Sequence, residues 1–200
     1  AAVAETGLFD HVTAMVSSTG PTLVIALIIY TIMGLNIDAS AYDPTVAQSI
    51  QDAFTRANGY MLIFDNARQK QANQIKAIRS FISQQVDYIV LSPIEESGWD
   101  TVLQEAKDAG IPVILIDRKV SVDDDSLYAS WVGSDFVREG QDAGYWLEDY
   151  MKKQGREDDE VNIVVLKGTK GASATIGRTE GFKEIADREG WTILDSQNGD

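Results

Sequence analysis

A regular alternation of strand-like and helix-like segments, starting near Ser49, most constrains the fold of this chain. Short apolar runs such as YMLIF, YIVL, VILI and VNIVVL are each followed by a longer segment with helical spacing of apolar residues. Alternation of this kind predicts parallel strands joined by right-handed helical crossovers. We therefore expect an α/β fold in which parallel sheets are flanked by helices.

One of the predicted helices, VREGQDAGYWLEDYMKKQG, is long and carries its larger apolar side chains at helical spacing. These side chains share one face, which consists of Ala143, Trp146, Leu147 and Tyr150. Such a face is typical of an amphipathic helix.

Ligands of parallel α/β sheets bind beyond the carboxyl ends of the strands. The loops of interest therefore follow Phe64, Leu91, Ile116 and Leu166. The loop after Ile116 begins with Asp117 and Arg118, which pair a carboxylate acceptor with a planar, forked donor. We expect this pair to contact a ligand, although a local ion pair is the alternative.

The loop after Leu166, within VVLKGTKGASATIGRTEGF, is rich in small residues. Gly168 and Gly171 let backbone N–H groups approach a ligand, and Ser173 is a candidate helix cap. An anion at the helix N-terminus is one hypothesis, but the spacing of neither a P-loop nor a dinucleotide fingerprint is present. Arg178 lies about two turns into the helix, and placements toward a ligand and toward solvent both stay open.

Composition excludes several classes of function. The chain has 31 acidic and 17 basic residues and a net charge of −14, which argues against a nucleic-acid partner. It has no cysteine and a single histidine, His11, so thiolate and histidine-rich metal sites are excluded. No catalytic Ser–His pair or G-x-S-x-G elbow is present. We expect a protein without catalytic residues, bound metal or cofactor.

The first quarter of the chain differs in composition from the rest. Residues 1–55 contain no Lys or Arg, and the run VTAMVSSTGPTLVIALIIYTIMGLNI has no charged side chain. We favour a transmembrane helix, with membrane contact through residues 12–36, because about 20 apolar residues span a bilayer. A buried strand at Leu23–Ile29 is the second interpretation. A signal peptide is the third, and the missing positive start disfavours it.

Several segments together resemble a known family from about residue 49 to 200. These segments are DNARQKQANQIKAIRSFISQQVDYIVLSP, GWDTVLQEAKDAGIPVILIDR, GSDFVREG and GTKGASATIGRTEGF. They resemble the type I periplasmic sugar-binding proteins of ABC importers, and within them the galactofuranose/ribose-type receptors. The resemblance implies two α/β lobes that bind a sugar, with Asp117, Arg118 and Arg178 donating to or accepting from sugar hydroxyls.

The resemblance also implies partners, location and domain organisation. The partners would be a monosaccharide and the membrane subunits of an ABC importer, and the location would be periplasmic or extracellular. We expect residues 49–130 to form the first lobe and residues 131–200 an incomplete second lobe, after an apolar segment at 1–48. Residues 1–45 weakly resemble a membrane segment of NhaC-type sodium/proton antiporters, which would make the protein membrane-associated.

A second function is compatible with the same fold. The effector-binding domain of LacI-type transcription regulators resembles these receptors, but those proteins carry a DNA-binding helix-turn-helix at the N-terminus. No basic residue precedes Arg56 in this chain, which speaks against DNA contact there. We therefore rank the sugar-binding component of an importer first.

Overall fold

The computed structural model describes residues 23–29 and 51–198, which fall into two compact units. The first unit contains residues 23–29 and 51–133, and the second contains residues 134–198.

The first unit is built on a five-stranded parallel sheet. Its strands are β1 (Leu23–Ile29), β2 (Tyr60–Asn66), β3 (Tyr88–Leu91), β4 (Val113–Asp117) and β5 (Ser130–Gly133). Their spatial order is β2-β1-β3-β4-β5, and every neighbouring pair is parallel. Two crossover helices, α1 (Gln71–Ser83) and α2 (Asp100–Asp108), connect β2 to β3 and β3 to β4. The predicted alternation of strands and helices is confirmed.

The position of β1 corrects our preferred interpretation of the apolar segment. Leu23–Ile29 is a strand that pairs with β2 along its whole length and with β3 on its other side. Central strands of parallel sheets are near-continuous apolar runs, because helices cover both faces of such sheets. The transmembrane interpretation is therefore wrong for Leu23–Ile29, and the alternative that this segment is a strand of the fold is confirmed. The rest of the predicted span, 12–22 and 30–36, lies outside the described residues.

No helix among the described residues has the length and apolar character needed to cross a bilayer.

The core of the first unit lies among α1, α2, β3 and β4. Its largest fully buried side chains include Trp99, Ile78, Ile89, Leu91, Leu103 and Leu115. Burial of one such side chain contributes about 1.5–3 kcal/mol to stability.

Gly110 ends α2 in the left-handed region, at a φ of 74°, and its amide donates to the carbonyl of Lys107 at 2.9 Å.

The second unit contains a parallel strand pair and two packed helices. The strands β6 (Asn162–Lys167) and β7 (Thr192–Asn198) are joined by α4 (Ser173–Glu189). The helix α3 (Phe136–Lys153) packs against α4.

Glycines let the backbones of α3 and α4 come into direct contact. A Cβ placed on Gly181 of α4 would lie 1.9 Å from the carbonyl oxygen of Val137 in α3. A Cβ placed on Gly140 of α3 would lie 2.3 Å from the carbonyl oxygen of Arg178 in α4. Neither position can hold a side chain unless the helices separate, so the two helices are tightly fixed against each other.

The predicted apolar face of α3 (Ala143, Trp146, Leu147 and Tyr150) is not its buried face. Trp146 is 65% exposed and stacks on the exposed Tyr150, with ring centroids 5.4 Å apart. The buried residues of α3 are Phe136, Gly140, Gly144 and Met151. α3 thus packs through Phe136, Met151 and two glycines that permit close approach, rather than through the predicted apolar face.

Candidate functional site

The strand β4 ends in a sharp turn at Asp117. The amide of Arg118 donates to the carbonyl of Ile116 at 2.8 Å, and Asp117 between them has a φ of 63°. A γ-turn with positive φ is rare, and backbone strain of this kind costs about 1–3 kcal/mol and concentrates at functional sites.

The backbone of this turn is held closely by β5. The indole Nε1 of Trp131 donates to the carbonyl of Asp117 at 3.4 Å. A Cβ placed on Gly133 would lie 2.1 Å from the same carbonyl oxygen, so only glycine fits beside the turn. The strained conformation is therefore fixed by its neighbours.

The structure brings the predicted residues Asp117 and Arg118 together. Arg118 is 4% exposed, and its Nη1 donates to the carbonyl of Ile94 at 3.0 Å. Its Nε lies 3.8 Å from Oδ2 of Asp117. Because a buried charge is costly unless it is paired and hydrogen-bonded, these contacts define the position of the guanidinium.

Gln74 of α1 organises the loop that receives Arg118. It is fully buried; its Nε2 donates to the carbonyl of Ser92 at 2.7 Å, and its Oε1 accepts from the amide of Ile94 at 3.0 Å. The loop after β3 is thereby held in the shape that offers the Ile94 carbonyl to Arg118. Sequence reasoning missed Gln74, although its position four residues before Ile78 places a polar residue on the apolar face of α1.

Ser92, the first residue after β3, has a buried hydroxyl. Among the described residues, nothing forms a hydrogen bond with its Oγ. Buried polar groups nearly always have a partner, and a hydroxyl can both donate to and accept from a bound polar molecule. Sequence analysis pointed to the loop after Leu91 but did not single out Ser92.

Arg178, the third predicted residue, lies in the second unit on α4. Its Nε donates to Oε2 of Glu139 on α3 at 2.8 Å, and its guanidinium lies over the ring of Phe136, 5.0 Å from the centroid. Arg178 is therefore paired rather than simply solvated. Sequence reasoning missed Glu139, although it belongs to the segment GSDFVREG.

The small-residue loop before α4 leads into a helix without a side-chain cap. The N-cap of α4 is Ala172, without a side-chain cap, and Ser173 is the first helical residue. The prediction that Ser173 caps α4 is therefore wrong, because it lies one position inside the helix. Gly171 has a φ of 80°, and Nδ2 of Asn198 donates to the carbonyl of Gly168 at 2.7 Å.

Comparison with known proteins identifies the family. The model of the periplasmic binding protein domain matches residues 32–200. The galactofuranose-binding protein YtfQ of Escherichia coli (strain K12) is 46% identical over 143 residues, which cover 71% of this chain and 43% of that protein. The chain spans about half the length of the relatives it matches.

Solved structures of two sugar-binding proteins are similar to this chain. A galactofuranose-binding protein is 36% identical, with a TM-score of 0.76 over 89% of this chain and 56% of that one. The binding protein of the arabinose ABC transporter from Shewanella sp. ANA-3, bound to α- and β-L-arabinofuranose, is 40% identical. Its TM-score is 0.72 over 88% of this chain and 55% of that one.

These comparisons also bear on the remaining interpretations. The resemblance of residues 1–45 to an antiporter segment is not supported, since β1 belongs to the sheet and the family match includes residues 32–45. Nothing in the comparisons favours a LacI-type regulator, and the relatives named above are binding proteins rather than enzymes. The parallel sheets and flanking helices form the type I periplasmic-binding-protein fold. The chain therefore belongs to the periplasmic binding protein family.

Proposed function

We propose that this protein is the substrate-binding component of an ABC sugar importer and binds a monosaccharide without chemical change. The observation that carries the proposal is the strained Asp117 turn beside the buried, hydrogen-bonded Arg118. The 46% identity to a galactofuranose-binding protein supports it independently. A location in the periplasm or outside the cell, and membrane subunits of an importer as partners, follow from this function.

The chemistry of the proposed site suits a neutral sugar. Each sugar hydroxyl can donate one hydrogen bond and accept two, so a matched site needs both kinds of group. In the first unit, the Asp117 carboxylate accepts, the Arg118 guanidinium donates and the Ser92 hydroxyl does both. In the second unit, the Arg178 guanidinium supplies further donors. All of these groups act in binding alone, and no step requires a nucleophile, a metal or a cofactor.

We favour the five-membered-ring form of the sugar. Two of the similar proteins, YtfQ and the Shewanella receptor, are named or solved with galactofuranose and arabinofuranose respectively. The rigidity of the Asp117 turn fits discrimination between ring forms, because a fixed acceptor rewards one geometry of neighbouring hydroxyls and not another.

The experiment is a ligand screen by thermal unfolding of the full chain against D-galactose, L-arabinose and D-ribose, whose solutions all contain furanose forms. A ligand that binds only the folded state raises the midpoint with increasing concentration. We expect such a rise in the unmodified chain and its loss in Asp117→Asn, which removes the charged acceptor. The matched control is Asp158→Asn, an exposed loop substitution that should leave the rise unchanged.

Two outcomes would contradict the proposal. The absence of any sugar-dependent rise, despite a cooperative transition, would reject sugar binding by this chain. A rise that survives Asp117→Asn unchanged would remove Asp117 from the site.

A further inference from the structure

The contact between Arg178 and Glu139 uses only one of the donors of the guanidinium. The carboxylate of Glu139 engages the Nε–H of Arg178, which is one of five N–H donors of the guanidinium. A second acceptor can therefore bind through the two terminal nitrogens without breaking this contact. Glu139 thus contacts the Nε side of the guanidinium, and the hydrogen bond in this contact does not use the terminal nitrogens.

The position of the pair is fixed by the helices that carry it. Glu139 precedes Gly140, and a Cβ placed on Gly140 would lie only 2.3 Å from the carbonyl oxygen of Arg178. The backbones of α3 and α4 therefore touch beside the pair. Phe136, one turn before Glu139 and largely buried, lies under the guanidinium with its ring centroid 5.0 Å away. An aromatic face and a carboxylate together restrict both the plane and the direction of the Arg178 side chain.

The pair is not suited to a stabilising role. The side chains of Arg178 and Glu139 are 50% and 40% exposed. Ion pairs exposed to this degree contribute little to folding, since solvent screens the attraction. The effect of Glu139 is therefore expected on the orientation and charge of Arg178 rather than on the stability of the unit.

We propose that Glu139 is a positioning residue for Arg178 and favours neutral over anionic sugars. The inference rests on the proposed function, because Arg178 has to contact the sugar. The carboxylate keeps the guanidinium ordered before the ligand arrives, so less freedom is lost on binding. It also balances the positive charge, which would otherwise attract a carboxylate or phosphate group on the ligand.

The first test measures affinity by titration calorimetry for D-galactose, L-arabinose and D-galacturonate. Ordering one flexible side chain corresponds to a change in Kd of about twofold to tenfold. We expect Glu139→Gln to weaken binding of the neutral sugars by that factor and to shift the preference toward galacturonate. In the Arg178→Ala background, Glu139→Gln should have no further effect on the neutral sugars, because it acts through Arg178.

A matched control is Glu184→Gln. Glu184 of α4 accepts a hydrogen bond from Gln141 of α3 at 2.8 Å, so this contact crosses the same helix pair without involving Arg178. We expect Glu184→Gln to leave both affinity and sugar preference unchanged. An equal loss in the two variants would overturn the inference, because it would point to a general effect on helix packing.

The second test needs no sugar. In the ¹⁵N–¹H spectrum of the unliganded chain, the Nε–H signal of Arg178 should be slow to exchange, and Glu139→Gln should accelerate its exchange. An unchanged signal would overturn the positioning role even if sugar binding is intact. A Glu139-dependent signal in a chain that binds no sugar would instead reject the proposed function and the sugar selectivity, while the ordering of Arg178 would stand.

Discussion

Replacement of Gln74 by methionine isolates the contribution of the buried amide that organises the loop after β3. Methionine is unbranched, similar in length and a good helix former, so α1 should tolerate it. The substitution removes the donor to the Ser92 carbonyl and the acceptor for the Ile94 amide, two hydrogen bonds of 2.7 and 3.0 Å. Both backbone groups would then be left unpaired in a buried environment.

The expected cost follows from these two groups. An unsatisfied buried donor or acceptor costs about 1–3 kcal/mol, so the two together give a loss of about 2–6 kcal/mol. Domains of this size have unfolding free energies of about 5–15 kcal/mol. The loss should therefore be readily measured as a lower free energy of unfolding in urea, followed by tryptophan fluorescence. Trp99 and Trp131 both lie in the first unit and report on it.

The matched control is Gln104→Met in α2. Gln104 is exposed and donates to Asp108 at 2.7 Å on the helix surface, so its replacement should change stability by no more than about 0.5 kcal/mol. A loss below about 1 kcal/mol for Gln74→Met, no more than one ordinary hydrogen bond, would refute the reasoning. It would show that water or a shifted loop satisfies the two backbone groups.

Two further substitutions test packing and charge. Gly181→Ala should destabilise the second unit by about 1–3 kcal/mol, because its Cβ would lie 1.9 Å from the Val137 carbonyl oxygen. Gly177→Ala should cost less in the same denaturation assay, since the nearest atom to its Cβ, the Cβ of Phe136, would be 2.8 Å away rather than 1.9 Å, and a larger cost would contradict the packing argument. The hydrogen bond from Arg79 lowers the pKa of Glu105 below its usual range. The stability that this hydrogen bond contributes is present at pH values above the ordinary glutamate pKa of about 4.3. It is lost as the pH falls through the lowered pKa of Glu105. At pH 7 the melting midpoint of Glu105→Gln should therefore be lower than that of the unmodified chain, and the difference between the two midpoints should shrink below about pH 4. A difference that increases as the pH is lowered would contradict this prediction.

The features that could be predicted from the sequence are those set by neighbours along the chain. The alternation of β2, α1, β3, α2 and β4 follows from short apolar runs and from a helical period of 3.6 residues, which are both visible in short windows. The placement of Asp117 and Arg118 at the end of β4 follows from the same local pattern. Once the end of β4 is predicted, both residues are placed at the carboxyl edge of the sheet.

The contacts that could not be predicted join residues far apart in the chain. Gln74 reaches Ser92 and Ile94 only because α1 packs beside the loop after β3. Glu139 reaches Arg178 because glycines bring α3 and α4 into backbone contact. Neither contact is encoded in a local pattern of the sequence. The segments that contain these residues could be found from the sequence, but their partners could not.

The apolar segment shows a different limit. A central strand covered on both faces and a membrane helix both require apolar residues at successive positions, so Leu23–Ile29 satisfies either description. Only the partners β2 and β3 distinguish the two, and they lie well beyond any short window of sequence.

The central position of β1 has a consequence for how the first unit assembles. β1 precedes β2 and β3 in the chain, so it is synthesised before both of them. Its backbone N–H and C=O groups can form the sheet hydrogen bonds only after those two strands have been made. The pairings of β1 with β2 and β3 join segments far apart in the chain, and topologies dominated by such non-local pairings fold slowly. A proline at Ala26 would remove a backbone donor from this interior strand, where proline is disfavoured, and should weaken the pairing of β1 with its neighbours.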